Sequence, residues 1–538
     1  MALVLIARLL LDNGDLYLSQ VGIASTTFFA EPRVLSFGTI MREVPLLPES
    51  PRAVQVSIQV ANQDGYFSGL RRQQRFINRT MEIILADTQK RESDFTVIFR
   101  GPISNDSLIN SESMEIPARD SLGIALDRPV PFLINPISFP YLPARVPRTL
   151  VPVVLGTVAS PTGAIPAYAV DEQASAGQTK FRYVAAQGVL KSITEVFVYG
   201  VELLSGFTVT TMAGPDNSLL TVIDFDTSPF DEDRSDDIEV TYNTIGLTDD
   251  GTAGGDPIVN PALQMEAVLL LLGFSASEIS SSLRDSAVSQ YDDLNVVGGV
   301  AITEPSKLSV VLDNFAKSFG LMLFQSSGGT IGMIAPGFEV STATELVHIE
   351  EGIDIAQGGF SVRSADSLAT GADAQFSFNF ATGEYLDAYP LRDSGELGIQ
   401  QAERIEPFEM PFIRDVSYAV SILNAVFFYM KEQREVVDIS AMESFYQQLE
   451  IGENITLTHH AGPSVDDLGY REKRFRVIGI GISEQSGLLS TVLRVVDLSA
   501  VPPLFTLYED DRSAPLFADL YGWQFEQFPT LPGDVLGE

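Results

Sequence analysis

Val54-Gln55-Val56-Ser57-Ile58-Gln59-Val60-Ala61-Asn62-Gln63-Asp64-Gly65 is the stretch whose reading decides the fold class. Apolar β-branched residues at every second position alternate with glutamine and serine. That period of two puts one face of a strand in a core and the other in water. Asn62-Gln63-Asp64-Gly65 then ends the strand with turn-forming residues. The same pattern runs outward in both directions. Upstream, Leu9-Leu10-Leu11 and Leu16-Tyr17-Leu18 flank Asp12-Asn13-Gly14-Asp15. This predicts a hairpin, because Asn-Gly readily adopts the positive φ of a tight turn. Downstream, strands are expected over residues 81–86 and 95–99, the second stopped by Gly101-Pro102. Residues 1–125 therefore read as one small β domain.

Beyond it the chain changes character. Residues 129–153 hold seven prolines, Pro129, Pro131, Pro136, Pro140, Pro143, Pro147 and Pro152. Proline removes amide donors and blocks helix, so 126–153 is an extended crossover. Residues 154–255 read as a β-rich insertion. Its strand candidates include Val196-Phe197-Val198-Tyr199-Gly200-Val201 and Phe207-Thr208-Val209-Thr210. The acidic loop 231–237 separates Val222-Ile223 from 238–240, and 249–256 is a flexible exit. Residues 256–345 form a helix-and-hairpin α/β unit. Asn260 is its cap, Pro261 the first helical residue and Gly273 the stop. A second helix spans 306–319, with Leu308, Val311, Leu312, Phe315 and Phe319 on one face and Gly320 at its end. It covers a hairpin of 321–324 and 331–334. Residues 346–400 connect to 401–500, where a helix after Asp415 precedes strands at 455–458, 475–482 and 488–496. Residues 501–538, with five prolines, are an extended C-terminal arm.

Composition bounds the function. The 538 residues make room for roughly three to four domains of about 150 residues each. With 45% hydrophobic and 20% charged residues, the chain has the material for real cores and is not wholly disordered. Lys and Arg number 34 against 71 Asp and Glu, a net charge of −37. Phosphate binding depends on Lys and Arg displacing counterions, so a DNA reader is disfavoured, as is docking on an anionic membrane. Acidity serves solubility, or a channel wall that DNA slides past without sticking. The absence of cysteine removes disulfides, thiolate metal sites and thiol nucleophiles. The N-terminal apolar run has no basic start and is interrupted at Arg8, and the run 267–272 is far too short to span a bilayer. Neither a signal peptide nor a membrane-spanning segment is expected.

Reaction motifs are missing. His348, His459 and His460 are the only histidines, and none makes a HExxH pattern. There is no GxSxG elbow, no GxxxxGK[ST] loop, and Gly479 and Gly481 lack the third glycine of a dinucleotide fingerprint. His459-His460 with Asp466 and Asp467 offers metal donors, but adjacent strand residues point to opposite faces, so a solvated strand end is the reading adopted. The run 231–237 with Asp224 and Asp226 lacks the spacing of a calcium loop and reads as solvated. Arg71, Arg72, Arg75 and Arg79 form the one clear basic cluster, an exposed turn or an electrostatic anchor for an acidic neighbour. No enzyme activity, catalytic residue, cofactor or metal is assigned.

The order of elements, with Ala61-Asn62-Gln63-Asp64-Gly65-Tyr66-Phe67-Ser68-Gly69, Phe99-Arg100-Gly101-Pro102-Ile103-Ser104 and Val151-Pro152-Val153-Val154-Leu155-Gly156, resembles the baseplate hubs of contractile phages and the tail-tip hubs of long-tailed ones. The pair Ile451-Gly452-Glu453-Asn454-Ile455-Thr456-Leu457-Thr458 and Phe475-Arg476-Val477-Ile478-Gly479-Ile480 adds to it. The resemblance spans roughly residues 1–500. It implies a mainly β, multidomain chain with α+β parts: two tail-tube-like β domains (1–125 and 401–500), a β insertion and a small α/β unit. It further implies a virion structural protein, assembled in the host cytoplasm. Three copies would form a ring adapting the sixfold tube to a threefold tip, with DNA passing through during genome ejection. Implied neighbours are the distal tail or tail-tube protein, tip, spike or fibre proteins and the tape-measure protein. The insertion at 154–250 and the arm match no family pattern. The alternative is a tail-associated glycan-binding or carbohydrate-active protein, against which the single tryptophan, Trp523, weighs.

Overall fold

The computed structural model describes residues 3–497 apart from 26, 46–48, 50, 88–94, 105–108, 111, 131–133, 135–138, 140–149, 172–180, 215–217, 228–239, 305, 327, 337–346, 365–368, 394–402, 432–433, 442–448, 464–468 and 486–487. The acidic loop 231–237, the C-terminal arm, Asp466, Asp467 and five of the crossover prolines (131, 136, 140, 143, 147) lie outside the described residues. The fold is mainly β and multidomain, with several sheets and few helices, as the sequence leads one to expect.

Residues 54–65 form the strand Gln55–Ala61 and the turn after it, with Val56, Ile58 and Val60 buried. It is the centre of a three-stranded sheet, antiparallel to both Ser113–Arg119 and Val34–Phe37. Each buried aliphatic there contributes roughly 1.5–3 kcal/mol. Leu3–Leu11 and Gly14–Ser19 make the expected hairpin, with Leu11 opposite Gly14 at φ 121°. That hairpin extends through Thr80–Asp87 to Thr96–Pro102 on one side and to Phe29–Pro32 and Ile23–Ala24 on the other. The strand expected to stop at Gly101 continues through Pro102, which pairs with Thr80. Proline is accommodated because this is the sheet's outermost strand.

The seven-stranded sheet runs Val347–Glu350, Asn454–His459, Tyr470–Gln485, Leu488–Asp497, Glu435–Ala441 and Ile355–Ser364, and its seventh strand, Ile40–Glu43, comes from the other end of the chain. Ile40–Glu43 pairs with residues 479–482, Ile480 opposite Arg42. Gly479 and Gly481 make that approach possible. A Cβ on Gly481 would lie 2.3 Å from the Ile40 carbonyl oxygen, and one on Gly479 would lie 2.7 Å from the Met41 side chain. One continuous core therefore joins Leu5, Ile58, Ile83 and Ile116 with Ile439, Leu457, Phe475 and Leu493.

Two sheets carry the strands of the insertion, and one of them is completed by Gly299–Ile302 from the unit that follows. One orders Val201–Leu203, Leu190–Val198, Val240–Leu247, Val153–Val158 and Gly299–Ile302, with Ile165–Pro166 paired to the third of these. The other orders Tyr168–Asp171, Phe181–Gln187, Leu219–Phe225 and Phe207–Ala213. The single strand expected from Val196 to Val201 is instead a hairpin. Val198 pairs with Val201, and Tyr199 (φ 52°) and Gly200 (φ 72°) form the two-residue turn. The flexible exit expected at 249–256 is a closed loop. The Asp249 amide bonds the Asp256 carbonyl at 3.0 Å, and Asp250 accepts from the Thr252 amide and hydroxyl.

Three helices follow their sequence signals. Pro261–Leu271 is capped by Asn260, which accepts from the Ala262 amide at 3.0 Å. Leu308–Phe319 buries the five expected apolar residues and ends at Gly320, φ 67°. Val416–Lys431 follows Asp415, whose carboxylate accepts from the Ser417 amide. Between the first two lies Ser281–Asp293, which has no strong apolar stripe and buries only Ala287 and Tyr291. These helices, the hairpin Met322–Gln325/Ile331–Ile334 and the sheet Glu384–Arg392, Gly371–Asn379, Ile405–Glu409 contribute to a second core. Among the described residues no helix is long and apolar enough to cross a membrane.

Candidate functional site

The chain's three histidines gather along one seam, where the edge strand Val347–Glu350 runs parallel to Asn454–His459. His348 stands opposite Thr456, and its Nδ1 lies 2.9 Å from the Thr456 hydroxyl. Three residues further on, the Glu351 amide donates to the Thr458 carbonyl at 3.0 Å. This fixes Glu351 beside the end of the neighbouring strand. There the strand stops at His459 and the chain turns at His460. The alternation that would send the two rings to opposite faces therefore no longer applies. The rings lie nearly parallel, 5.2 Å apart at 11°. Both Nδ1 atoms face Glu351: His459 at 3.8 Å and His460 in a direct hydrogen bond to Oε2.

The two imidazoles are held differently. His459 is buried, stacked on Phe360 at 3.6 Å and 9°. Its Nδ1 accepts from the Ala461 amide at 3.1 Å, so the lone pair is on Nδ1 and the neutral ring's proton on Nε2. Burial pushes its pKa down. His460 is 78% exposed on its side chain. Its amide and its ring both hydrogen-bond Glu351, and these bonds hold the Glu351 carboxyl below its ordinary range. Glu351, His459 and His460 thus offer three metal-type donors whose ligand atoms all lie within 4.8 Å of one another. Nothing in the local sequence marks Glu351, since its partners lie more than a hundred positions away.

The other sequence candidates fare differently. Asp224 is buried, and its oxygens are taken by Arg182 (2.7 Å) and the Thr210 hydroxyl (3.0 Å). It is committed inside its sheet and not open to a cation. The basic cluster spans a helix end and the turn that follows it. Arg71 and Arg72 occupy the last turn of a helix, Tyr66–Gln73, where cations complement the carboxyl-end dipole. Arg79 pairs with Asp12, while Arg71, Arg72 and Arg75 are exposed without an ion-pair partner among the described residues. Trp523 lies outside the described residues.

A cleft of about 420 Å³ opens between Leu308–Phe319 and the hairpin 371–392. Phe378 and Tyr385 (ring centroids 4.8 Å apart) form one wall, with Glu304, Asn314 and Glu409 at its polar side. Burial and then the Glu409 charge push the Tyr385 phenol well above its ordinary pKa.

No protein-family model matches the sequence, and no curated protein does. Among solved structures, a tail protein from Neisseria meningitidis aligns at TM-score 0.43 and 8% identity, covering 93% of this chain and 98% of that one. A 43 kDa tail protein of the Shewanella oneidensis prophage MuSo2 aligns at 0.40 and 9%, covering 93% and 100%. A chain from the virion of a native gene transfer agent aligns at 0.40 and 14%, covering 65% and 84%. At these scores and identities the overlaps establish neither fold nor function, and the functional reading rests on the chain's own features.

Proposed function

We propose that this chain is a structural protein of a phage tail, the hub of its tip or baseplate, with three copies closing into a ring around the DNA path. The observation that supports this most is the pairing of Ile40–Glu43 with residues 479–482 over one continuous core. It clamps an N-terminal and a C-terminal β unit side by side in one subunit. Three subunits built this way bring six β units to a ring, the arrangement needed to continue a sixfold tube above a threefold tip. Three copies at −37 carry about −110 charges, and an acidic lumen passes DNA without binding it. The exposed Arg71, Arg72 and Arg75 provide a local basic patch for an acidic neighbour, the tube or distal tail protein above or the spike, fibre or tape-measure protein below.

The aromatic cleft favours a second reading, a tail-associated glycan-binding protein, since sugar rings stack on aromatics while carboxylates bond their hydroxyls.

Electron microscopy of the purified chain, with its mass by light scattering, separates the two. A threefold ring with an open centre supports the hub. A compact closed particle that binds or cleaves glycans, and loses this with Tyr385→Ala, overturns it. For a bare monomer the same imaging moves to intact virions, where absence of the chain from the tail axis overturns the hub equally.

A further inference from the structure

Glu351, His459 and His460 have the composition of a transition-metal site. Two imidazole nitrogens and one carboxylate oxygen suit a borderline cation such as Zn2+, which takes His and Glu donors at about 2.0–2.2 Å. The three come from two chain segments locked together by backbone bonds, the Glu351 amide on Thr458 and the parallel ladder of 347–350 with 455–458. The Phe360 stack fixes the His459 ring, and the Ala461 amide shows which nitrogen carries its lone pair. That nitrogen, Nδ1, is the one 3.8 Å from Glu351 Oε2. His460 approaches the same oxygen through its own Nδ1.

We propose that Glu351 Oε2, His459 Nδ1 and His460 Nδ1 bind one zinc-class divalent cation, which staples the edge strand Val347–Glu350 to the end of Asn454–His459. In a tetrahedral site, neighbouring ligand atoms stand about 3.3 Å apart. The His459–Glu351 separation is close to this, and the exposed His460 side chain supplies the remaining adjustment by rotating. The cation takes the place of the Nδ1 proton in the His460–Glu351 hydrogen bond, and the neutral ring carries its proton on Nε2 instead, which the exposed side chain presents to water. The Ala461 amide gives up its bond to Nδ1 and turns to water, which its surface position allows. Three protein donors leave the fourth position to water. The role is structural: it ties down a strand that otherwise ends the sheet.

The test is calorimetric titration of ZnCl2 into the full chain after chelator treatment, in excess Mg2+ to occupy unspecific acidic surface. One site per chain is expected, weakened at least tenfold in His460→Ala and in Glu351→Gln and unchanged in His348→Ala. All three changes are at exposed or half-buried side chains, and an unaltered melting curve without metal verifies the fold. Co2+ adds a spectroscopic readout: the intense visible absorption of a tetrahedral site, absent in His460→Ala. Absence of saturable Zn2+ binding overturns the proposal, and so does wild-type affinity in both the His460→Ala and Glu351→Gln chains.

Discussion

Asn62 uses both ends of its amide. Its oxygen accepts from the Phe67 and Ser68 amides at 3.0 and 3.2 Å, and its nitrogen donates to the Ser68 hydroxyl at 2.8 Å. It thus serves the free amides at the start of Tyr66–Gln73 from outside the helix, while Gly65 makes the αL turn between them. Asn62→Ala should cost about 2 kcal/mol, because a buried cap and its partners are lost together. The loss should appear as a lower urea midpoint at unchanged slope. Asp120 makes a comparable pair of bonds, from the Val54 and Gly123 amides. Burial nonetheless raises its pKa to about 6. A carboxyl raised in the folded state binds its proton more tightly there than when unfolded. Its stabilisation is therefore full below the unfolded pKa of about 4 and is lost as pH rises to about 6. The difference in unfolding free energy between the wild type and Asp120→Asn should change across pH 4–6 and be flat above 7. A flat difference throughout would remove Asp120 as a titrating group. The histidines show the limits of local reading at this scale. Strand alternation predicts opposite faces for His459 and His460, and it fails because the strand ends between them.

Among elements, Ile40–Glu43 has the greatest reach. Its ladder with 479–482 is reinforced by Arg494, which pairs with both Glu43 and Asp438, the latter at 2.7 Å. A side chain at Gly481 meets backbone and has nowhere to go. Gly481→Val should detach Ile40–Glu43 and sharply raise hydrogen exchange at 40–43, leaving the 435–441/491–496 ladder protected. Protection at 40–43 equal to wild type would show that the glycine is dispensable. The glycines were visible in the sequence, but only the long-range partner explains them. The Tyr199-Gly200 turn was hidden for another reason. Gly200 is the one mark of a fold-back in Val196 to Val201, and it is masked by the apolar run around it and by Tyr199, a residue type that rarely takes the positive φ it adopts here. The helix Ser281–Asp293 has no apolar stripe to announce it, because its sequence is largely polar and only two of its side chains are buried. Capped helices with an apolar stripe, such as Leu308–Phe319, were readable almost to the residue.

For the whole molecule, charge is the controlling quantity. At −37 per chain, like-charge repulsion opposes association, and salt screens it over about 10 Å at 0.1 M. If the proposed ring forms, raising NaCl from about 20 to 200 mM should shift the mass in light scattering toward three chains. A mass independent of salt would mean that subunit contacts lie away from the acidic surface. The β-rich class, the helix caps and the absence of thiol chemistry were determined by the sequence alone, because propensity, periodicity and composition act within a few residues of each other. The seventh strand of the sheet, the core shared by both ends of the chain and the meeting of Glu351 with His459 and His460 were decided only by the tertiary structure. Each depends on pairing between segments one hundred to more than four hundred residues apart, and no local pattern specifies which edges meet.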